Sequence, residues 1–449
     1  MNLAAELSGC IYRLNLEALD SETISQAKVL IVDALACAIA GADSQGAQIA
    51  RTVAPEHSSD NLLATTLVTG LRTSASSAAL INGAMLRALD LMDVYVGMDV
   101  CHPSEIIPAA LACAEAAKVS GKAFLEATIA GLALHVQIAN SIPLHRHGLH
   151  HVGQAAWVVP LIASRLFGHD EASAARALTI CAHGMIVPEN FALGQLTNLK
   201  ALAYPLIARR CIDTVGLAAA GLTGSPQACD DMLLLLASKF EMDIVYENLV
   251  SANGLDLSGI SLKIYPAQYA LQPLIVTAAS AQADYRRLLD QLSHIVVRVS
   301  QRTAERTADP SKFAPSTPEA ADHSLPFCVA IALLDGGLTA GALEKGRWRD
   351  TDVLELMGRI RVKTIDNSDD YQVGLQDISL MLKSGATRTF ECRYPPEYAS
   401  WRTIAEQKLH AACGDKLDAG RILDIVTHIE QEQNLGRLIA ALTQAAAQP

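Results

Sequence analysis

From residue 21 to about residue 221, apolar positions recur at helical spacing in block after block. Ser21-Glu-Thr-Ile offers a capping start, and the apolar run that follows stops at Gly41. Further Ala-rich helices are predicted over 74–92, 108–118, 121–138, 153–167 and 172–183. Gly121, Pro143, Gly168 and Pro188 mark boundaries along this series. Many of the segments are apolar nearly all round, the pattern of helices buried between other helices.

The pattern changes near Lys263. Residues 294–304 contain a short β-like run, and 359–365 (RIRVKTI) alternates cleanly. Residues 376–383 and 386–394 read as two strands around the turn Ser384-Gly385. Between the runs 294–304 and 359–365 lies TPEAADHSLPFCVAIALLDGGLTAGAL, residues 317–343. Its Asp322-His323-Ser324-Leu325-Pro326 cluster can cap the apolar helix that follows, with Pro326 in the first turn. After Tyr394-Pro-Pro the helical pattern returns over 402–412 and 421–446. The expected fold is mainly α plus α+β. A large all-helical domain is formed by both chain ends (1–262 and 396–449), and a smaller α+β lid domain (263–395) is inserted between them.

Composition narrows the function. The chain has 449 residues and is half hydrophobic, yet only 4% aromatic, so Ala, Leu, Ile and Val must fill the core. A formal charge of −12, without any Lys/Arg run, argues against nucleic acid as a partner. An acidic protein can still bind an anion if its few cations gather in one cleft. The 10 cysteines are scattered without a CxxC, which suits reduced thiols in a cytoplasm better than zinc or a disulfide scaffold. The first residues read as an ordinary helix, and no uncharged apolar run nears twenty residues, so no membrane association is expected.

The candidate chemistry lies in a few places. His102-Pro103-Ser104 follows an acidic stretch containing Asp90, Asp93 and Asp99. A histidine beside carboxylates can carry a proton near neutral pH, although the same residues suit a plain capping loop. His145, His147, His150 and His151 crowd around Arg146. Their spacing lacks the i,i+4 pairing of a zinc helix, so proton transfer or anion binding is the preferred role, with solvated loop histidines as the alternative. Lys200 precedes an apolar helix, where it either reaches out to water or is desolvated into a base or a carboxylate anchor. Lys263 stands at the domain junction with Tyr265 and Pro266, and junctions form clefts. No nucleotide-binding glycine motif and no GxSxG element occurs.

Taken in order, these segments resemble the MmgE/PrpD family over nearly the whole chain. DLMDVYVGMDVCHPSEIIPAALACAE is similar to the family's acidic loop ending in His-Pro-Ser, with Asp90, Asp93 and His102 matching. GLHHVGQAAWVVPLIASRLFG puts His150 on the family's histidine and His151 where proline is usual. KALAYPLIARRCIDTVGLAAAGLTG puts Lys200 on the family's lysine. SLKIYPAQYALQPLI matches at Lys263, Tyr265 and Pro266, with Gln272 where histidine is usual. ADHSLPF has Phe327 where tyrosine is frequent.

The resemblance implies an active site between a helical domain and an α+β lid, no metal or organic cofactor, and a homodimer. It implies a lyase acting next to a carboxylate of a citrate-like di- or tricarboxylic acid, by dehydration before decarboxylation. The alternative is an epimerase of an amino- or imino-dicarboxylate. A non-catalytic binding protein on the same fold is a third reading. His102 and Lys200 would be the proton-transfer pair, with His150 orienting the substrate or sharing that catalytic role. Asp93 would orient His102, while Lys263, Arg146, Tyr265 and Gln272 would contact the substrate.

Overall fold

The structure is a computed structural model that describes residues 2–54, 63–236, 242–250, 256–365, 376–395 and 400–443. The helical series begins as its pattern predicts, with one shift of cap. Asp20, not Ser21, caps the Ser21–Ala40 helix, because its backbone is extended and its carboxylate accepts from the Thr23 N–H. Helices Ala75–Arg87, Ile107–Ala117, Gly121–Ser141, Ala155–Leu166 and Glu171–Cys181 follow. The first ends five residues before the predicted 92, since the chain turns there into a short antiparallel hairpin, Tyr95–Val96 with Val100–Cys101. A second hairpin pairs Leu63–Thr65 with Arg72–Ser74. Neither strand pair is long enough to show an alternating pattern in sequence, so the helical domain is not purely helical.

Two long helices set the floor of the later site. Ala75–Arg87 packs against Leu199–Ala219. A Cβ on Gly83 would lie 2.8 Å from the Pro205 ring, so glycine is what lets these axes close. The approach holds Arg87 beside the start of the second helix, where its Nε donates to the Lys200 carbonyl at 3.1 Å.

The chain ends return to the same core. Helix Trp401–Cys413 packs on Ser21–Ala40. The helix predicted over 421–446 is two helices, Ala419–Thr427 and Gly436–Leu442, joined by the segment 428–435, which makes only the short turn Ile429–Gln431 and buries Ile429 and Leu435 among polar neighbours. The last six residues of the chain lie outside the described residues, as do 396–399 at the start of this closing segment. The larger core draws on Leu3 to Leu262 and again on Ile404 to Leu442.

A second core, from Ala267 to Leu380, belongs to the α+β domain. Its mixed sheet runs Ile360–Thr364, Leu292–Val299, Asp377–Leu382, Thr387–Glu391. The first pair is parallel and the others antiparallel. The expected turn at Ser384-Gly385 is present, with Gly385 at φ +87. Helix Leu325–Asp335 packs against helices Gln272–Ser280 and Thr351–Met357, and the first of these lies on strand Asp377–Leu382. Ser324 caps helix Leu325–Asp335 by accepting from the Phe327 N–H, and Pro326 lies in its first turn. Leu325 to Leu333 are all buried, and Phe327 packs edge-on to Trp348 with ring centres 6.4 Å apart. Such a phenylalanine contributes roughly 1.5–3 kcal/mol by burial.

Helices Ser21–Ala40 and Gly121–Ser141 are each long and apolar enough to cross a membrane, but most of each lies inside the larger core. All ten cysteines are free thiols.

Candidate active site

The two cores meet along a cleft of about 780 Å³, its mouth included. The helical domain lends it Asp90, His102, His150, His151 and Lys200, and the α+β side adds Arg306 and His323. Lys263, at the crossing between the domains, also borders it.

The floor is an ionic cluster. Asp90 sits at φ +48, a left-handed conformation that Asp tolerates better than most residues and that turns the chain out of the preceding helix. Its carboxylate lies 3.0 Å from Lys263 Nζ and 3.7 Å from Lys200 Nζ. Lys263 also donates to the Asp90 carbonyl at 2.9 Å. Lys200 bonds both oxygens of Asp322, at 2.8 and 3.1 Å. Burial works against charge on Asp90, yet Lys200, Lys263 and His323 outweigh it and hold its carboxyl well below the usual range. His323 bonds Asp322 through Nδ1 at 2.5 Å, and burial with nearby Lys200 pushes its pKa down to about 4. The imidazole is therefore neutral at pH 7.

Two histidines on one wall are held in opposite ways. His102 Nδ1 lies 2.5 Å from the Asp93 carbonyl. A carbonyl only accepts, so Nδ1 carries the hydrogen and Nε2 keeps a lone pair. Burial, aided by Lys263, holds the His102 pKa well below its usual value. His150 is fixed from the other side. Its backbone N–H donates to the Val187 carbonyl at 2.7 Å, and its Nδ1 accepts from the Val152 N–H at 3.3 Å. Nδ1 is thus the acceptor, and the neutral ring carries its hydrogen on Nε2. Burial and Arg306 keep this imidazole neutral too. His151 lies between them, its ring centre 5.0 Å from His102 and 4.2 Å from His150. Among the described residues its buried Nε2 has no hydrogen-bond partner.

His102, His150, Lys200 and Lys263 therefore share one cleft. Four other expected contacts do not border it. Asp93 is fully buried, and its carboxylate accepts from the Ser104 N–H at 3.1 Å and hydroxyl at 2.6 Å. Burial raises its pKa to about 7 against those bonds. It orients His102 only through its main-chain carbonyl. Arg146 is exposed, because the turn Leu144–His147 points it outward. Tyr265 packs on the smaller core, where its ring closes over Gly337. Gln272 is a clamp: its Oε1 accepts from the Ile264 and Tyr265 N–H groups, both at 3.0 Å, and its Nε2 donates to the Tyr265 and Ala267 carbonyls. All four of its bonds fix the segment that carries Lys263.

Sequence reading missed His323, Arg306, Glu189 and Arg87. His323 sat inside a cluster read only for helix capping; a histidine next to an Asp before an apolar run was the available signal. Arg306 and Glu189 carry none, since domain docking alone brings them together. Arg87 pairs with Glu105 in the interior. Among the described residues, no group of three or more His, Cys, Asp or Glu is arranged to hold a metal ion.

Comparison with known proteins agrees with the architecture. The MmgE/PrpD N-terminal domain matches residues 5–241, and the MmgE/PrpD C-terminal domain matches residues 265–430. Human cis-aconitate decarboxylase is 25% identical over 428 residues, which covers 91% of this chain and 86% of the relative. Both halves of the family's architecture are present, joined across the crossing that carries Lys263, and the chain belongs to the MmgE/PrpD family.

Proposed function

We propose that this protein is a lyase that removes water from a di- or tricarboxylic acid at the carbon next to a carboxylate. The reading rests on one observation: an imidazole with a bare Nε2 and another with an Nε2–H border the same cleft as two ammonium groups. A dehydratase needs that set, a base for the carbon-bound proton and an acid for the departing hydroxyl.

In this mechanism the Lys200 ammonium, held by Asp322, faces the substrate from the floor, and Lys263 fixes Asp90 beside it. His102 Nε2 takes the proton from carbon. The C–O bond breaks as the carbon–carbon double bond forms. The hydroxyl takes a proton from the Lys200 ammonium and leaves as water. His150 Nε2–H holds a substrate oxygen throughout. The His102 proton then returns to solvent and Lys200 is recharged from it.

Decarboxylation is the second reading, favoured by the name of the human relative. There the C–C bond breaks, carbon dioxide leaves, and the carbanion takes a proton from the same acid. Proton NMR of the protein with citrate, 2-methylcitrate, cis-aconitate and iminodisuccinate in deuterated buffer tests both. A new vinyl signal without carbon dioxide release is expected. Vinyl product with carbon dioxide moves the assignment to decarboxylation. Exchange of an α-proton with no alkene replaces both with epimerisation.

A further inference from the structure

Every cation bordering the cleft already has a carboxylate partner, so an incoming anion must displace one. The pairs differ in how deeply they are set. Lys263 and Asp90 have side chains 1% and 5% exposed, and Lys200 and Asp322 are 7% and 2% exposed. Arg306 and Glu189 are 17% and 16% exposed, the most open cation–carboxylate pair among the described cleft residues. Opening a buried pair strands a charge away from water, whereas a partly exposed pair gains little by staying closed.

The rim pair also spans the two domains. Arg306 lies in helix Gln301–Thr307, and Glu189 begins the turn Glu189–Ala192. The segment behind Glu189 is stitched to the α+β domain independently. Gln195 donates to the Ser311 carbonyl at 2.8 Å, and the Thr317 hydroxyl donates to the Leu196 carbonyl at 2.7 Å. Losing the Glu189 contact therefore leaves the domains joined. Arg302 Nη2 lies 3.9 Å from Glu189 and can keep the released carboxylate close by.

We propose that Arg306 is the arginine that takes a carboxylate of the substrate, and that Glu189 occupies it until substrate arrives. This rests on the reading of the cleft as a polycarboxylate site. Guanidinium suits the role because its planar fork binds a carboxylate through two parallel hydrogen bonds. The site is then complete only when the α+β domain is docked, and Glu189 sets a threshold that weakly held monoanions do not cross.

The two residues predict opposite signs. Isothermal titration with propane-1,2,3-tricarboxylate reads binding without needing turnover. Glu189→Gln frees the guanidinium and should tighten binding, by about three- to tenfold. Arg306→Gln should weaken it by roughly tenfold or more. Arg306→Lys should fall between, since it keeps the charge and loses the fork. In Glu189→Gln/Arg306→Gln the gain should vanish. Weaker binding by Glu189→Gln, unchanged binding by Arg306→Gln, or no binding of the acid to the unmodified protein overturns the proposal. Failure of the lyase reading looks different: the acid binds with these shifts while no acid in the NMR panel is turned over.

Discussion

The floor and the rim of the cleft use the same chemistry, cation against carboxylate, to opposite ends. On the floor, Lys263, Asp90, Lys200 and Asp322 are nearly closed to water and interlock across four segments of chain. At the rim, Arg306 and Glu189 form a partly open bridge between domains. Depth decides the difference. Buried charges cannot part without loss, so the floor is a fixed frame that holds an ammonium group toward the cleft. The rim pair is set less deeply, so parting it strands less charge away from water, as the proposed exchange of partners requires.

The largest effect expected is on catalysis at the floor and wall. His102→Ala and Lys200→Ala should each cost about 10²–10⁴-fold in turnover if they move protons. Steady-state rates on the substrate found by NMR check this, and near-normal activity in both would remove them from the mechanism.

Stability sharpens the contrast next. Lys263→Met leaves Asp90 with one lysine fewer in the interior and should cost about 3–5 kcal/mol. Arg306→Met at the rim should cost less, about 1–2 kcal/mol, because the pair is partly open to water and Arg302 stays 3.9 Å from Glu189. Denaturant titration of both variants reads the difference. Equal losses would mean that depth does not separate the two pairs. Gln272→Leu should cost about 1–3 kcal/mol, because it takes the Gln272 partner from the part-buried Ile264 and Tyr265 N–H groups and from the Ala267 carbonyl, while the Tyr265 carbonyl still accepts from the Ala267 N–H.

The floor should also respond to acid. His323 has a folded pKa of about 4, below its ordinary value of 6.5. The unfolded chain takes up a proton that the folded state refuses. Its contribution is thus fully present above pH 6.5 and is lost as pH falls from 6.5 toward 4, at about 1.4 kcal/mol per unit. His323→Asn should flatten that part of the stability profile. The smallest effect expected is at the wall: His151→Pro should leave the fold nearly unchanged. His150 before it is already extended (ψ 141), as a residue preceding proline must be, and position 151 opens a helical turn. A melting temperature within about 2 °C of the parent protein would agree.

Much of this was legible in the chain. The apolar blocks located the helices, the alternation in RIRVKTI located a strand, and Ser324 capped the helix its position suggested. His102, His150, Lys200 and Lys263 carried visible signals because each sits in a motif next to a loop or a helix start. Arg146 misled because a crowded histidine segment gives no clue to which way its turn faces. Gln272 misled because an amide suits a backbone clamp as well as a ligand contact. Arg306 and Glu189 are separated by 117 positions, and only the docking of one domain on the other gives their meeting a role.

The central claim is that one cleft holds two neutral imidazoles in opposite tautomers. Nitrogen-15 NMR of histidine-labelled protein at pH 7 reads this directly, with His102→Gln and His150→Gln assigning the signals. The account predicts His102 protonated on Nδ1 alone and His150 on Nε2 alone. The same tautomer in both rings, or a full positive charge on either, would contradict it.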